Sequence, residues 1–534
     1  MQRRWWFVVS LVFVAIAIAG RVAEAQSLSS GVEAPQAICT WNSGAVGNWN
    51  DPTKWSGCAG GVPGAADTAV VSSGTITLTS NVTLGTLTFS GGTIQGNSNL
   101  VVTNMTWTGG TFKDAGTTTV NGTLDMSNGS CTLDGRTLIN AGAATLGGSS
   151  VYLVLLNNAV FTNQTGASMQ FSHTSSGQIT YSTGSGTFNN SGYITKTFAS
   201  SGFTYIYAPF NNSGSVAVAN GTFQMSPASS TINTNTGTWR TTSAGAAIQH
   251  SSGTLNVDGV ITGTGTVYFA GGTVNFNTGT YSSTNTTVNG ATVLFAPGTS
   301  FTTSNNLTLS SGTLNLSTGA PITLKTVTQS GGTLTGFDDL IIATYNWSGG
   351  TLSGAATTAT VSGALNMTNS SVTLDGRTLS NAGTGAIDGS SAYLIMYNGA
   401  VFNNQAGASL QFSHTGSGQF TYSTGSGTFN NAGAITKTAA SSGFTYIYVP
   451  FNNSGSVAVN GGTLYFGPTT ATTSNHSGPF SVANGATLQV AGSGTLNFTG
   501  GVTGAGSGVF SGGTVNFNGG TYSLPNMTVS GATV

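Results

Sequence analysis

The side chains best suited to acid–base chemistry fall in one short segment that occurs twice, Leu133-Asp134-Gly135-Arg136 and Leu374-Asp375-Gly376-Arg377. A carboxylate beside a guanidinium could serve a lyase acting on an acidic sugar. Such chemistry, however, gathers several carboxylates, often with calcium, around a base. Few acids lie near either copy, so we expect each pair to be a salt bridge holding its turn. Asp338-Asp339 reads likewise as a solvated turn. His173 follows Ser172 and His414 follows Ser413, which suggests a nucleophile with its base. Neighbours on a strand point to opposite faces and cannot form such a dyad. The two histidines also lie too far apart in the chain to share a metal, and both are expected on the surface.

Aromatic residues offer binding chemistry instead. Tyr205 and Tyr207, and again Tyr446 and Tyr448, alternate along extended segments, and a row of exposed tyrosine rings can pack against sugar rings. The competing expectation is that Phe203 and Ile206, or the tyrosines themselves, fill the core. Trp41, Trp49 and Trp55 present the same choice between packing an N-terminal cap and forming a carbohydrate platform. Threonine is spread over every segment and not confined to one regular face, which argues against ice binding. We therefore expect no catalytic residue, no cofactor and no metal, and list these seven aromatics as the candidate glycan contacts.

A repeat must position these residues. Thr132-Leu133-Asp134-Gly135-Arg136-Thr137-Leu138 recurs 241 residues later as Thr373-Leu374-Asp375-Gly376-Arg377-Thr378-Leu379. The same shift relates Phe203-Thr204-Tyr205-Ile206-Tyr207 to Phe444-Thr445-Tyr446-Ile447-Tyr448, whereas Trp107 and Trp347 are 240 apart, so one residue was inserted between Trp347 and Val361. Within each unit a shorter rhythm near twenty residues runs through Phe-Asn-Asn-Ser-Gly at 188–192 and 210–214. Periods of that size mark solenoid coils. Thr254-Leu255-Asn256-Val257 and Thr273-Val274-Asn275-Phe276 alternate apolar and polar, which sends Leu, Val and Phe inward. The predicted fold is an all-β parallel β-solenoid of ~20-residue coils, on the order of 25 of them, with a sandwich array as runner-up. We assign residues 26–70 to a cap, 71–310 to the first super-repeat and 311–534 to the second.

Composition agrees. The chain has 80 glycines, 38% hydrophobic residues and only 4% charged residues. Like charges on neighbouring coils would sit about 4.8 Å apart and repel by roughly 3 kcal/mol at an effective dielectric near 20. Asparagine avoids that cost and can hydrogen-bond along the stack. Arg3-Arg4, the apolar run Trp5–Ala19 and Ala23-Glu24-Ala25 read as a Sec-type signal peptide over 1–25. Without it, 8 basic and 11 acidic residues leave a net charge of −3, which excludes nucleic acid as a partner. No later stretch is apolar enough to span a membrane. Export favours a Cys39–Cys58 disulfide, with Cys131 a buried hydrophobe whose counterpart is Val372. Asn526–Val534 matches Asn285–Val293, so the sequence stops in mid-unit, as a fragment or an end covered by a partner would.

The motifs Gly-Thr-Phe-Asn-Asn-Ser-Gly (186–192), the Ser-Gly-Gly-Thr turns and the opening Trp41, Asn48-Trp49, Trp55, Gly61-Val62-Pro63 and Asp67 resemble bacterial autotransporter-type and filamentous-haemagglutinin-like surface proteins. The resemblance covers nearly the whole exported chain. It implies a secreted or cell-surface rod, adhesin-like or structural, whose partners are surface glycans or other cell-surface proteins, with end-to-end or lateral self-association. A translocator of the outer membrane, usual in that group, is not visible. The alternatives are a polysaccharide-active β-helix enzyme and a non-catalytic glycan- or ice-binding module.

Overall fold

The computed structural model describes residues 36–369, 371–423, 425–468 and 472–534. The signal peptide over 1–25 and the first ten residues of the cap lie outside the described residues. Ala37–Val534 forms one continuous unit. It is a parallel β-solenoid of about 21 turns averaging ~22 residues.

A representative coil shows how the sequence makes the shape. Thr187–Asn190 forms the first face, Tyr193–Lys196 the second and Phe203–Ile206 the third. Each four-residue strand alternates, burying Phe188 and Asn190, then Ile194 and Lys196, then Thr204 and Ile206. Every strand pairs in parallel with its counterpart one coil later: Phe188 with Phe210, Ile194 with Val216, Thr204 with Phe223. Because side chains repeat with period two, this register keeps inward residues inward along the whole stack. Three parallel ladders therefore enclose one core, in which rings such as Phe188 and Phe210 lie 4.8 Å apart.

The glycine of Phe-Asn-Asn-Ser-Gly turns the corner between the first two faces. A Cβ on Gly214 would run into the carbonyl oxygen of Gly192, and one on Gly237 into that of Gly214. The close backbone approach of these successive corners thus requires glycine at both positions.

Coil length is less uniform than the expected twenty. Partners on adjacent coils are separated by 18 residues near Gln95 and by 27 between Asn163 and Asn190. The added residues of the longer coil sit in corners such as 164–167 and 182–186, which is why fewer turns fit than anticipated. Between Thr280 and Ser353 the corners themselves join the ladders, and strands lengthen to Thr280–Phe295, Ser300–Leu316, Ile322–Thr335 and Leu340–Ser353. The assigned border at 310/311 falls inside Ser300–Leu316. The two super-repeats are stretches of sequence stacked in one solenoid.

The cap holds the one antiparallel pairing among the named strands, Ile38–Trp41 against Trp55–Ser56. Asp51 opens the short 3-10 turn Pro52–Lys54 by accepting from the Thr53 amide at 3.0 Å and the Thr53 hydroxyl at 2.7 Å. Cys39 and Cys58 are joined by a disulfide, and Cys131 is buried, its thiol donating to the Trp107 carbonyl.

Candidate functional site

The Asp–Arg pairs are not salt bridges. At Gly135 and Gly376 the backbone enters the left-handed region, with φ of 71° and 66°. Asp134 consequently faces outward, where it accepts from the Asn157 amide at 2.6 Å, while Arg136 is fully buried. The Arg136 guanidinium donates to the Thr118 hydroxyl and to the carbonyls of Gly96 and Ser98, each at 2.8 Å. Arg377 similarly donates to the carbonyls of Ser353 and Gly336, and Asp375 accepts from Asn398. Burial lowers both arginines to about 10, so each remains a cation that pins corners of earlier coils to its own. The expected ion pair fails because the intervening glycine turns the two side chains to opposite sides of the wall.

The histidines are interior, contrary to the surface position expected. His173 and His414 are fully buried, and their Nε2 atoms lie 2.8 Å from the hydroxyls of Thr204 and Thr445. Ser172 and His173 do point to opposite faces. Desolvation, with a contribution from the nearby Lys196 or Lys437 cation, lowers both imidazoles to about 4. Those lysines are buried as well. Lys196 donates to Ser200 at 2.6 Å and Lys437 to Ser441 at 2.7 Å, and burial lowers each to about 8. Sequence reasoning passed over them, although the alternation Ile194, Thr195, Lys196 places the lysine on the inward side. Asp338 is also buried, accepting from the amides of Thr318 and Gly319, while its neighbour Asp339 is exposed. Only Asp339 keeps the solvated position expected of both. Among the described residues no three of His, Cys, Asp and Glu gather as a metal site, and no helix is long and apolar enough to cross a membrane.

The aromatic candidates divide. Trp41, Trp49 and Trp55 are 1%, 1% and 6% exposed and pack edge to face at 4.9–5.0 Å, with the Trp55 indole donating to the Trp49 carbonyl. They close the end of the core and offer no ring face to a sugar, which corrects the platform expectation. The third-face tyrosines do lie outside: Phe203, Tyr205 and Tyr207 form one row and Phe444, Tyr446 and Tyr448 another, with Thr204 and Ile206 inside. The rings in each row are nearly parallel, at 6–10°, with centroids 5.2–5.7 Å apart. That spacing is too short for rings lying side by side in a plane. The central Tyr205 and Tyr446 are thus covered on both faces by their neighbours. Along the axis the same column reads Tyr152, Gln178, Tyr205, Gln224, Gln249, Tyr268 in the first unit. In the second it reads Tyr393, Gln419, Tyr446, Tyr465, Gln489. The centre of each row presents ring edges, hydroxyls and amides, while the end rings are stacked on one side only.

Asparagine ladders run inside the first face. Asn140 donates to Asn163, Asn163 to Asn190, Asn190 to Asn212 and Asn212 to Asn235, each at 2.6–2.7 Å. Sequence reasoning foresaw such ladders but placed asparagine outward only. Comparison with protein families, with curated proteins and with solved structures finds no match to this chain.

Proposed function

We propose that this chain is a secreted or cell-surface rod, adhesin-like or structural, that catalyses no reaction. One observation carries the reading. The four histidines, Arg136, Arg377, Lys196 and Lys437 are all turned into the core and held by neutral oxygens or packed among rings, so the outward carboxylates Asp134, Asp375 and Asp339 have none of these bases or cations beside them on the surface. What the faces present outward is mostly Thr, Asn, Ser, Gln and Tyr, a neutral hydrogen-bonding surface repeated coil after coil. A parallel β-solenoid is compatible with the autotransporter-type surface proteins that the sequence resembles. At about 21 turns of ~4.8 Å each, the rod extends on the order of 100 Å. Such a length suits the display of a surface away from a cell, and its partners are surface glycans or other cell-surface proteins.

The test is a polysaccharide-degradation screen run beside a glycan array, with wild type compared to Asp134→Ala/Asp375→Ala. Binding without new sugar ends, or silence in both assays, is expected of a rod. Release of sugar ends that disappears in the double variant would establish an enzyme. Protease shaving of intact expressing cells should cleave the chain, and full protection would remove the surface assignment.

A further inference from the structure

The geometry points to a binding site for a linear, uncharged polysaccharide in a groove on the first face of the second super-repeat. The groove encloses about 580 Å³. Its wall is a second, outward asparagine ladder on four successive coils: Asn403, Asn430, Asn452 and Asn475. Asn430 donates to Asn403 and Asn452 to Asn430, each at 3.0 Å, and the Asn475 backbone amide donates to Asn452 at 3.1 Å. A carboxamide has two N–H donors and two acceptor lone pairs. A ladder member spends one donor and one lone pair on its neighbours, which leaves one of each for a ligand on every coil. These groups recur every ~4.8 Å and are already oriented, so little ordering cost falls on binding.

The inner ladder beneath the groove also differs between the two units. Asn404 donates to Asn431 and Asn431 to Asn453, but the Asn453 amide, 1% exposed and lining the groove, has no hydrogen-bond partner. The reason is the next coil, where Asn453 faces His476 instead of asparagine. In the first unit the equivalent Asn212 donates to Asn235 at 2.7 Å. That amide is enclosed on the core side of the strand, so it marks where the inner ladder ends and leaves the outward carboxamides as the groups a ligand meets.

The duplication provides an internal contrast. At a shift of 241 residues Asn430 and Asn452 match Asn189 and Asn211, but Asn403 and Asn475 match Thr162 and Thr234, and His476 matches Asn235. The run of four outward carboxamides thus belongs to the second unit, whereas in the first the Thr234 hydroxyl donates to Asn211 in place of an asparagine. No charged side chain lines the groove, which disfavours uronates and sulfated sugars. Groups that both donate and accept at a regular repeat, without charge, are what the hydroxyls of a neutral sugar chain lying along the axis provide. The inference deepens the rod reading and depends on it only in that the sugar is held and not cleaved.

Isothermal titration of the full chain with cellohexaose, mannohexaose and hexagalacturonate tests this, using Asn403→Thr/Asn475→Thr, which restores the first unit's residues. The fold of that variant is checked by circular dichroism. One neutral hexasaccharide should bind per chain, with hexagalacturonate weaker and affinity in the variant reduced roughly tenfold, as expected for losing two amide contacts. The site is overturned if neither neutral sugar binds, if hexagalacturonate binds more tightly, or if the variant binds as well as wild type. It is also overturned if the variant converts a dimer to a monomer in sedimentation, since the groove would then be a contact between copies. New reducing ends during the titration would refute the non-catalytic reading alone, because the variant would still report where the sugar sits.

Discussion

At the scale of single residues, the wall is built from groups that other folds keep in water. His173, His250, His414 and His476 are the four histidines of the chain, and burial holds the first three near pKa 4 and the last near 3. The unfolded chain therefore binds protons on all four as pH falls below about 6.5, while the native state does not. The histidine contribution to stability is fully present above pH 6.5 and falls progressively toward pH 4, so the urea midpoint at pH 5 should lie clearly below that at pH 7. Lys196 and Lys437, lowered to about 8, act with the same sign in another window. Between about pH 8 and 10.5 the unfolded lysines carry protons that the native ones have lost, so stability rises with pH there. Lys196→Met/Lys437→Met should flatten the second slope and leave the first largely in place, and an unchanged profile above pH 8 would refute the burial assigned to these amines.

At the scale of elements, stability resides in ladders more than in strands. Asn212 is both acceptor for Asn190 and donor to Asn235, so Asn212→Ala leaves the buried Asn235 oxygen unmet and the Asn190 amide with only its longer contacts to the Gly192 and Ser215 carbonyls. A cost of about 2–4 kcal/mol in chemical unfolding is expected. Phe210→Ala, in the ring stack beside it, should cost about 3–5 kcal/mol. Equal effects of Asn211→Ala, one residue along and facing outward, would contradict the assignment of faces. In the cap, the disulfide closes a sequence separation of 19 residues. Cys39→Ala/Cys58→Ala should cost about 2–4 kcal/mol, seen first as loss of hydrogen-exchange protection in the coils nearest the tryptophans and not at Phe498.

At the scale of the whole molecule, each coil pairs its strands only with the coils on either side, and the two units share one register: Ser130 pairs with Tyr152 just as Ser371 pairs with Tyr393. Deleting Asp134–Leu374 joins Leu133 to Asp375 and recreates the native Leu-Asp-Gly-Arg sequence with one unit fewer. That shorter chain should fold with an unchanged far-ultraviolet spectrum and keep the second-unit groove, and its aggregation would contradict a modular stack. The sequence by itself determined the solenoid, the duplication, the disulfide and the inward set of Leu, Val and Phe. Period-two alternation and a repeat near twenty residues leave few other ways to bury that pattern. It did not determine which polar residues join them. Asp134 and Arg136 are two residues apart in the chain but turned to opposite sides by a left-handed glycine, and asparagine reads as an outward residue until the neighbouring coil supplies its hydrogen-bond partner. Those decisions belong to the stacking of one coil on the next, because a buried polar group is tolerated only where a partner some twenty residues away arrives at hydrogen-bonding distance. The groove follows the same rule: its asparagines are visible in the sequence, and only the register of four coils brings them into one line.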